Sequence, residues 1–191
     1  MPIENRLGDI ACIIPGIPED KYGFQDSDVK YYYIQPNNIT EDGRIQEPTF
    51  IWKKEQVQNN QLVQNGDVLI KRLNHSDAVI VSGITKPTVI SPNLFIIRPF
   101  TAVIPEYLAC LLERAGILTQ IEQISGTSVS VKTLSARKLA EIKIPIIPVK
   151  SQRILGEIWE LSKRKKRLLQ SYIQESENLL SALVNKLTVP E

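Results

Sequence analysis

The 191-residue chain contains one histidine, His75, and two cysteines, Cys12 and Cys110. Any catalytic triad or metal cluster that uses an imidazole would have to include this one histidine. We interpret His75 as a polar loop residue. The cysteines are far apart in apolar surroundings, which is typical of small core residues in a cytosolic protein rather than of a disulfide. No apolar run approaches the ~18–20 residues of a membrane span, and residues 1–9 lack the hydrophobic stretch of a signal peptide.

Motifs of catalysis are also missing. The sequence contains no G-x-x-x-x-G-K-S/T loop, no G-x-G-x-x-G after a strand and no Asn/Asp-Pro-Pro-aromatic motif of amino-methyltransferases. Glu141-x-Lys143 is similar to part of a nuclease metal motif, but no convincing upstream Asp accompanies it, so we interpret it as surface charge. We therefore expect a protein without catalytic, metal or cofactor sites. A nuclease or methyltransferase with an unrecognised site is the open alternative.

The net charge of +2 conceals a segregation along the chain. Residues 131–170 hold eleven Lys and Arg against three Asp and Glu, a local charge of +8, whereas residues 1–60 hold ten acids against six bases. Clustered positive charge favours a polyanionic partner, most simply nucleic acid. A solvated helix face explains charge of this kind equally well.

The first 150 residues predict a β-rich domain, because short apolar segments alternate with turn signals such as Asn65–Asp67. This pattern favours a barrel or sandwich over βαβ units. We predict a helix from Pro105 to about Ile124 and a short helix to Glu141, with Ser135 as N-cap. Leu134 and Leu139 flank this cap as a hydrophobic staple. The predicted strands are Ala11–Ile14, Val29–Ile34, Phe50–Trp52, Val68–Leu73, Ala78–Ser82, Leu94–Arg98 and Ile142–Ile144.

The C-terminal segment, from Ser151 to about Leu187, predicts one long helix. Pro145 and Pro148 disfavour helix just upstream, Ser151 is placed to act as N-cap, and no proline follows until Pro190. The expected length is roughly 54 Å, longer than a small domain is wide. The fold class is therefore predicted as α+β: a β-rich domain (1–150) followed by a long helix (151–191).

Apolar residues recur along this helix every three or four positions, as in the seam of a coiled coil. Lys165 and Ser176 interrupt the seam. Such a narrow stripe needs a partner helix, although a terminal helix folded back on its own domain is the simpler alternative. The seam residues are Ile154, Ile158, Leu161, Leu168 or Leu169, Ile173, Leu180, Leu183 or Val184, and Leu187.

Several motifs, in this order and spacing, resemble those of type I restriction–modification specificity subunits. They are Leu7–Ile10, Gly66–Ile70, Ile104–Leu108, Gly126–Thr127 with Leu134 and Leu139, Ile144–Pro145, Pro148 and Gln152. The family commonly shows Glu-Gln at the start of the long helix, where this chain has Ser151-Gln152. A full specificity subunit carries two recognition domains and two spacer helices, so this chain resembles a half-length form.

The resemblance implies a DNA-reading subunit that performs no chemistry. It implies an antiparallel homodimer through the long helix, which would read a split palindromic site in double-stranded DNA. It also implies partners: modification methyltransferase subunits, with motor–nuclease subunits as later additions. The methyl donor, magnesium and ATP would bind only on those partner subunits.

Residues suited to DNA contact occur in two places. The loop Gly126–Lys132 offers hydroxyls, a cation and a glycine for close backbone approach, and its candidates are Thr127, Ser128, Ser130 and Lys132. The end of the strand that follows Gly66 offers Lys71, Arg72 and His75. Solvation, or a loop role, is the alternative for each.

Three other sets of residues are weaker candidates for DNA contact. Loop amides such as Asn59–Gln61 match base-edge pairing. Tyr31–Tyr33 and Trp52 have rings that stack on bases, although strand aromatics more often fill a core. The basic run Lys163, Arg164, Lys165, Lys166 and Arg167 suits the DNA backbone, an acidic partner surface or solvent. A coiled-coil adaptor whose β-rich domain binds protein remains an alternative to the whole interpretation.

Overall fold

The computed structural model describes residues 3–20, 28–40, 43–73, 77–125 and 134–188. Within these ranges the strands are β1 (Ile3–Arg6), β2 (Ala11–Pro15), β3 (Val29–Ile34), β4 (Thr49–Lys53), β5 (Val68–Lys71), β6 (Ala78–Ile80), β7 (Thr88–Ile90), β8 (Leu94–Pro99) and β9 (Lys143–Ile146). The helices are α1 (Leu7–Ile10), α2 (Pro105–Leu112), α3 (Ala115–Ser125), α4 (Ala136–Ala140) and α5 (Val149–Thr188). The predicted α+β class, a β-rich body followed by a long C-terminal helix, is confirmed.

The strands form three small sheets. One has the order β2-β8-β5-β6 with antiparallel neighbours, and a second has the order β4-β3-β7, in which β3 and β7 are parallel. The third pairs β1 with β9, so that Ile3 lies opposite Ile146. This last pairing ties the N-terminal segment to the residues that lead directly into α5.

The four-stranded sheet is buried on both faces. Successive strand residues point to opposite faces, so Val68 and Ile70 pack with Leu108 of α2, while Leu69 packs with Ile34 of the three-stranded sheet. The apolar run of β5 is therefore explained by burial on two sides. The sheet forms a fixed platform on which α2, and through it α5, is placed.

An ion pair between Asp67 and Arg98 stabilises the turn before β5. The Asp67 carboxylate is buried and accepts hydrogen bonds from Nε and Nη2 of Arg98, at 2.7 and 2.9 Å, and from the backbone N–H of Gln64 at 2.7 Å. The Asp67 carboxylate raises the pKa of Arg98 above its usual range. The aspartate of the Gly66–Ile70 motif thus has a structural role here.

One predicted helix is wrong in its extent. The helix predicted from Pro105 to Ile124 is two helices, and the break falls at Glu113, whose carboxylate is engaged with residues distant in sequence. The motif Leu7–Ile10, which precedes the predicted strand Ala11–Ile14, is the single turn α1. It lies against α4, since a Cβ on Gly8 would come within 3.0 Å of Ala140 Cβ. Strands β1 and β7 were not predicted.

The short helix α4 follows its prediction. Ser135 is the N-cap and its hydroxyl accepts from the Lys138 backbone N–H at 3.2 Å. Leu134 and Leu139, on either side of the cap, are both fully buried. The hydrophobic staple is therefore confirmed.

Helix α5 begins at Val149, two residues before the predicted start. Ser151 is consequently not the N-cap, because the carbonyl of Pro148 already accepts from the N–H groups of Ser151 and Gln152, at 2.8 and 3.0 Å. A proline lacks an N–H, but its carbonyl can accept the first helical bonds. The helix runs for 40 residues, a rod of about 60 Å.

The first part of α5 is fixed to the body of the protein through Gln152. This side chain is 1% exposed. Its Oε1 accepts from the Ile104 N–H at 3.0 Å, and its Nε2 donates to the carbonyls of Ala102 and Ile147, at 3.2 and 2.9 Å. One amide thus joins α5 to the loop before α2 and to the end of β9.

Three further residues of α5 continue this contact at intervals of three or four. Gly156 allows α5 to lie directly on α2, and Trp159 Nε1 and Lys163 Nζ both reach the Glu113 carboxylate, at 2.8 and 2.6 Å. We call Gln152, Gly156, Trp159 and Lys163 the docking face. The helix is therefore anchored over its first four turns by one face.

We predict that Gly156→Ala destabilises the protein by about 1–3 kcal/mol. The new Cβ would lie 2.7 Å from Glu106 Cβ, so α5 must move away from α2. Helix propensity alone predicts the opposite sign, a gain of roughly 1 kcal/mol for Ala over Gly. Urea denaturation followed by circular dichroism measures the difference.

Gly116→Ala in α3 is the matched control. A Cβ at this exposed position meets no heavy atom within 4 Å, so we expect it to be neutral or stabilising. Equal effects of the two substitutions would contradict the proposed close packing of α5 on α2.

Candidate functional site

An exposed surface of aromatic and lysine side chains lies on the three-stranded sheet. In the β3–β4 register, Lys30 pairs with Trp52 and Tyr32 pairs with Phe50, so the four side chains share one face. Phe50 is 47% exposed and Trp52 is 37% exposed. We call Lys30, Tyr32, Phe50, Trp52 and the nearby Lys86 the aromatic face.

Cation–π and ring contacts order this surface. Lys30 Nζ lies 3.8 Å from the centre of the Phe50 ring, and Lys86 Nζ lies 4.9 Å from that of Tyr32. The Tyr32 and Phe50 rings are 4.5 Å apart and tilted, and Lys86 donates to the Tyr32 hydroxyl at 2.6 Å. Two cations are thereby held on a half-exposed aromatic surface.

Such a surface has the chemistry of a nucleic-acid contact. Lysines bind phosphates, and exposed rings contact base methyl groups and sugars or wedge between base pairs. Neighbouring Lys53 does not add to it, because it forms an ion pair with Asp20 at 2.5 Å. This contact with Lys53 lowers the pKa of the Asp20 carboxyl below its usual value.

The tyrosine cluster divides between core and surface. Tyr31 and Tyr33 are buried, as the core interpretation predicted; Tyr33 donates to the Ile17 carbonyl, and burial raises its pKa to about 12. Tyr32 and Trp52 lie on the aromatic face instead. Sequence reasoning missed Phe50, Lys30 and Lys86 because only the strand register brings them together.

The other sequence-predicted DNA residues are less available. Arg72 donates from Nε to the Leu134 carbonyl at 2.8 Å, and Lys71 donates to the Ile39 carbonyl at 3.3 Å, so both are engaged within the protein. Asn59–Gln61 form a short helical turn within the described residues. Five other candidates lie outside the described residues: His75, Thr127, Ser128, Ser130 and Lys132. Their proposed contact with DNA stays a prediction.

The basic run of α5 is divided by the docking face. Lys163 is partly buried in its pair with Glu113, so it stabilises the fold instead of extending the exposed basic patch. Arg164, Lys165 and Lys166 are exposed. A cleft of about 890 Å³ between α5 and the segment after β6 is lined by Arg44, Arg164 and Arg167 but also by Glu106, Glu157 and Glu160. This mixed charge does not define an anion site.

The predicted seam of α5 is exposed over its whole length. The seam residues are between 49% and 83% exposed: Ile154, Ile158, Leu161, Leu168, Leu169, Ile173, Leu180, Leu183 and Leu187. We call these nine residues the apolar stripe. On a helical projection it lies roughly 150° from the docking face. The simpler alternative, a terminal helix folded back on its own domain, holds for the first four turns of α5, but they dock through a different face and leave the apolar stripe exposed.

Large exposed apolar surfaces of this kind mark an interaction site. Among the described residues, no helix is long and apolar enough to cross a membrane, and no group of three or more His, Cys, Asp or Glu side chains could hold a metal ion. The described residues present three surfaces suited to a partner: the aromatic face, the exposed basic residues and the apolar stripe.

Comparison with solved structures identifies the fold. The chain superposes on the HsdS subunit from Thermoanaerobacter tengcongensis with a TM-score of 0.67 and 20% identity, over 96% of this chain and 48% of that one. It matches the S subunit of a type I restriction–modification system from M. genitalium with a TM-score of 0.59 and 17% identity, over 99% and 46%. The chain has the fold of one half of a type I specificity subunit.

In a third structure, too, the match covers nearly all of this chain and about half of the other chain. It was solved to explain complex assembly and conformational transition of a type I R-M system, and it matches with a TM-score of 0.68 and 20% identity, over 99% of this chain and 50% of that one. The chain thus spans about half the length of the structures it matches. No protein-family model matches the chain, and no curated protein matches it in sequence.

We predict that Phe50→Ala lowers affinity for duplex DNA by roughly 3- to 10-fold, since burying the exposed half of the Phe50 ring contributes about 1 kcal/mol. Fluorescence anisotropy with a labelled duplex measures this. Phe100→Ala is the control, because Phe100 is similarly exposed, at 49%, but lies at the end of β8 away from the aromatic face. Equal losses in both variants would exclude the aromatic face as the contact.

Proposed function

We propose that this chain is the DNA-recognition subunit of a type I restriction–modification complex. The observation that carries the proposal is the likeness of fold over nearly the whole chain to one half of specificity subunits. In this proposal residues 1–150 form the recognition domain and residues 151–191 form a dimerisation helix. The protein would act in the cytoplasm.

The surface chemistry supports contact with DNA. The aromatic face combines lysines with exposed rings, and Arg164, Lys165 and Lys166 add exposed positive charge on α5. Phosphates bind the cations while the rings approach the bases. We also keep Lys132 and the hydroxyls of Thr127, Ser128 and Ser130 as proposed phosphate contacts.

The exposed apolar stripe supports dimerisation. An isolated rod gains free energy by burying the nine exposed side chains of its apolar stripe. Two half-length chains packed antiparallel through their stripes would reproduce the two-domain arrangement of a full-length subunit. Closed two-fold symmetry then requires two palindromic half-sites separated by unread base pairs.

In this proposal the chain has no catalytic activity of its own and binds the subunits that carry it. We propose that modification methyltransferase subunits bind the recognition domain and the helix pair, and that motor–nuclease subunits join the assembly later. The methyl donor, magnesium and ATP would bind on those partners. Methyl transfer by the purified chain alone would contradict this proposal.

Selection from a random duplex library with the purified full chain tests DNA reading. We expect enrichment of a two-fold symmetric motif with an unread centre. Affinity for the selected site should fall steeply with salt, because bound cations release counterions from the phosphates. Absence of enrichment together with absence of binding at low salt would favour a protein-binding adaptor.

Leu180→Asp is predicted to convert the dimer into monomers, since it places a charge within the apolar stripe. Sedimentation velocity reports the change, and affinity for a complete site should fall to that of one half-site. Ser181→Asp carries the same charge on the opposite side of the helix and should leave the dimer intact. Dimers of unchanged stability in Leu180→Asp would exclude the stripe as the interface.

A further inference from the structure

The apolar stripe is symmetric about its own midpoint. Counting outward from the bond between Gln170 and Ser171, each residue of the apolar stripe is matched by an apolar residue at the same distance on the other side. Three exposed apolar residues of α5 outside the stripe, Leu155, Leu179 and Val184, have polar counterparts. The matched pairs are Leu169 with Tyr172, Leu168 with Ile173, Leu161 with Leu180, Ile158 with Leu183, and Ile154 with Leu187. The two interruptions also match, since Lys165 corresponds to Ser176.

An antiparallel pair of α5 helices makes use of this symmetry. If the two-fold axis crosses the rods between Gln170 and Ser171, every apolar residue of the stripe meets an apolar residue of the second copy. Lys165 then meets Ser176, so the polar interruptions face each other and not leucines. A polar residue in a seam is known to select one register in this way.

Charge along α5 favours the same arrangement. Five consecutive cations occupy 163–167, whereas residues 168–185 contain no Lys or Arg and include Glu175 and Glu177. A parallel dimer would place the five cations of one copy beside the same five cations of the other. The antiparallel register places them beside 174–178, which contains both glutamates.

The flanks of the stripe identify the individual ion pairs. At about 100° per residue, Lys166 and Glu177 lie on one flank, and Arg164 and Glu175 lie on the other. A two-fold axis perpendicular to the rods places each flank of one copy beside the same flank of the second copy. Lys166 of one copy therefore faces Glu177 of the second copy, and Arg164 faces Glu175, each displaced by about 3 Å along the axis.

These four side chains are available for such pairs. All four are exposed, and within the described ranges the structure shows no ion pair for any of them. Lys163, in contrast, is held by Glu113 on the docking face. Exposed ion pairs add little affinity, so their effect is to select orientation and register.

We propose that two copies of this chain associate through an antiparallel α5–α5 interface centred between Gln170 and Ser171, in which Lys166 pairs with Glu177 and Arg164 with Glu175. This inference rests on the proposed homodimer and adds to it the register and the residues that specify it.

Cysteine cross-linking tests the register. Cys110 is buried, as its apolar surroundings predicted, but Cys12 is exposed and is not a core residue. In a Cys12→Ser background, which removes this exposed thiol, Leu161→Cys combined with Leu180→Cys should give disulfide-linked dimers on mild oxidation. These two positions are about 28 Å apart on one helix, so no intrachain bond can form. Each single variant should cross-link at least tenfold less. Efficient linking of the single variants would show a parallel dimer.

Two further double variants detect a shifted register. Leu161→Cys with Ile173→Cys, and Leu161→Cys with Leu187→Cys, match antiparallel alignments displaced by one heptad on either side. We expect neither to link efficiently. Preferential linking of either one would overturn the proposed register while leaving the homodimer in place. A monomeric protein at all concentrations would instead overturn the homodimer itself.

A charge exchange tests the ion pairs. Lys166→Glu should raise the dimer dissociation constant about tenfold at low salt, because two-fold symmetry introduces the repulsion twice. Adding Glu177→Lys should restore the affinity. Adding Glu175→Lys should not, because residue 175 lies on the other flank. Equal restoration by both second substitutions would contradict the assignment of pairs.

Discussion

The contact between α5 and α2 determines which face of the long helix remains available. Gly156 brings the two helices together, Gln152 joins α5 to two neighbouring segments, and Glu113 receives Trp159 and Lys163. This contact uses small, polar and charged groups whose hydrogen bonds are satisfied inside the protein. The apolar stripe, roughly opposite on the helix, is left exposed as a consequence.

This division of one helix into two faces links the fold to the proposed function. A helix that buried its leucines against its own domain would have no surface for a second copy. Because the docking face holds only the first four turns, the remainder of the 40-residue rod extends beyond the body. The aromatic face, carried by a separate sheet, is structurally independent of the stripe. In the proposed function, recognition and assembly use different surfaces of the same chain.

Local patterns predicted the elements whose determinants are local. The staple around Ser135 and the length of α5 follow from nearby residues, and both are confirmed. Tertiary contacts explain what was missed: Glu113 interrupts the predicted helix while contacting Ala78, and β7 pairs in parallel with a distant strand. The aromatic face depends on strand register, which places Phe50 beside Tyr32. Periodicity along one segment contains none of this information.

Hydrogen–deuterium exchange along α5, measured across a dilution series, tests the central claim most directly. The account predicts that amides of residues 153–163 stay protected at every concentration, because the docking face holds them to their own domain. Amides of residues 164–188 should be protected only where the second copy is bound and should exchange rapidly after dilution. Concentration-independent protection of both halves of the helix would contradict the account.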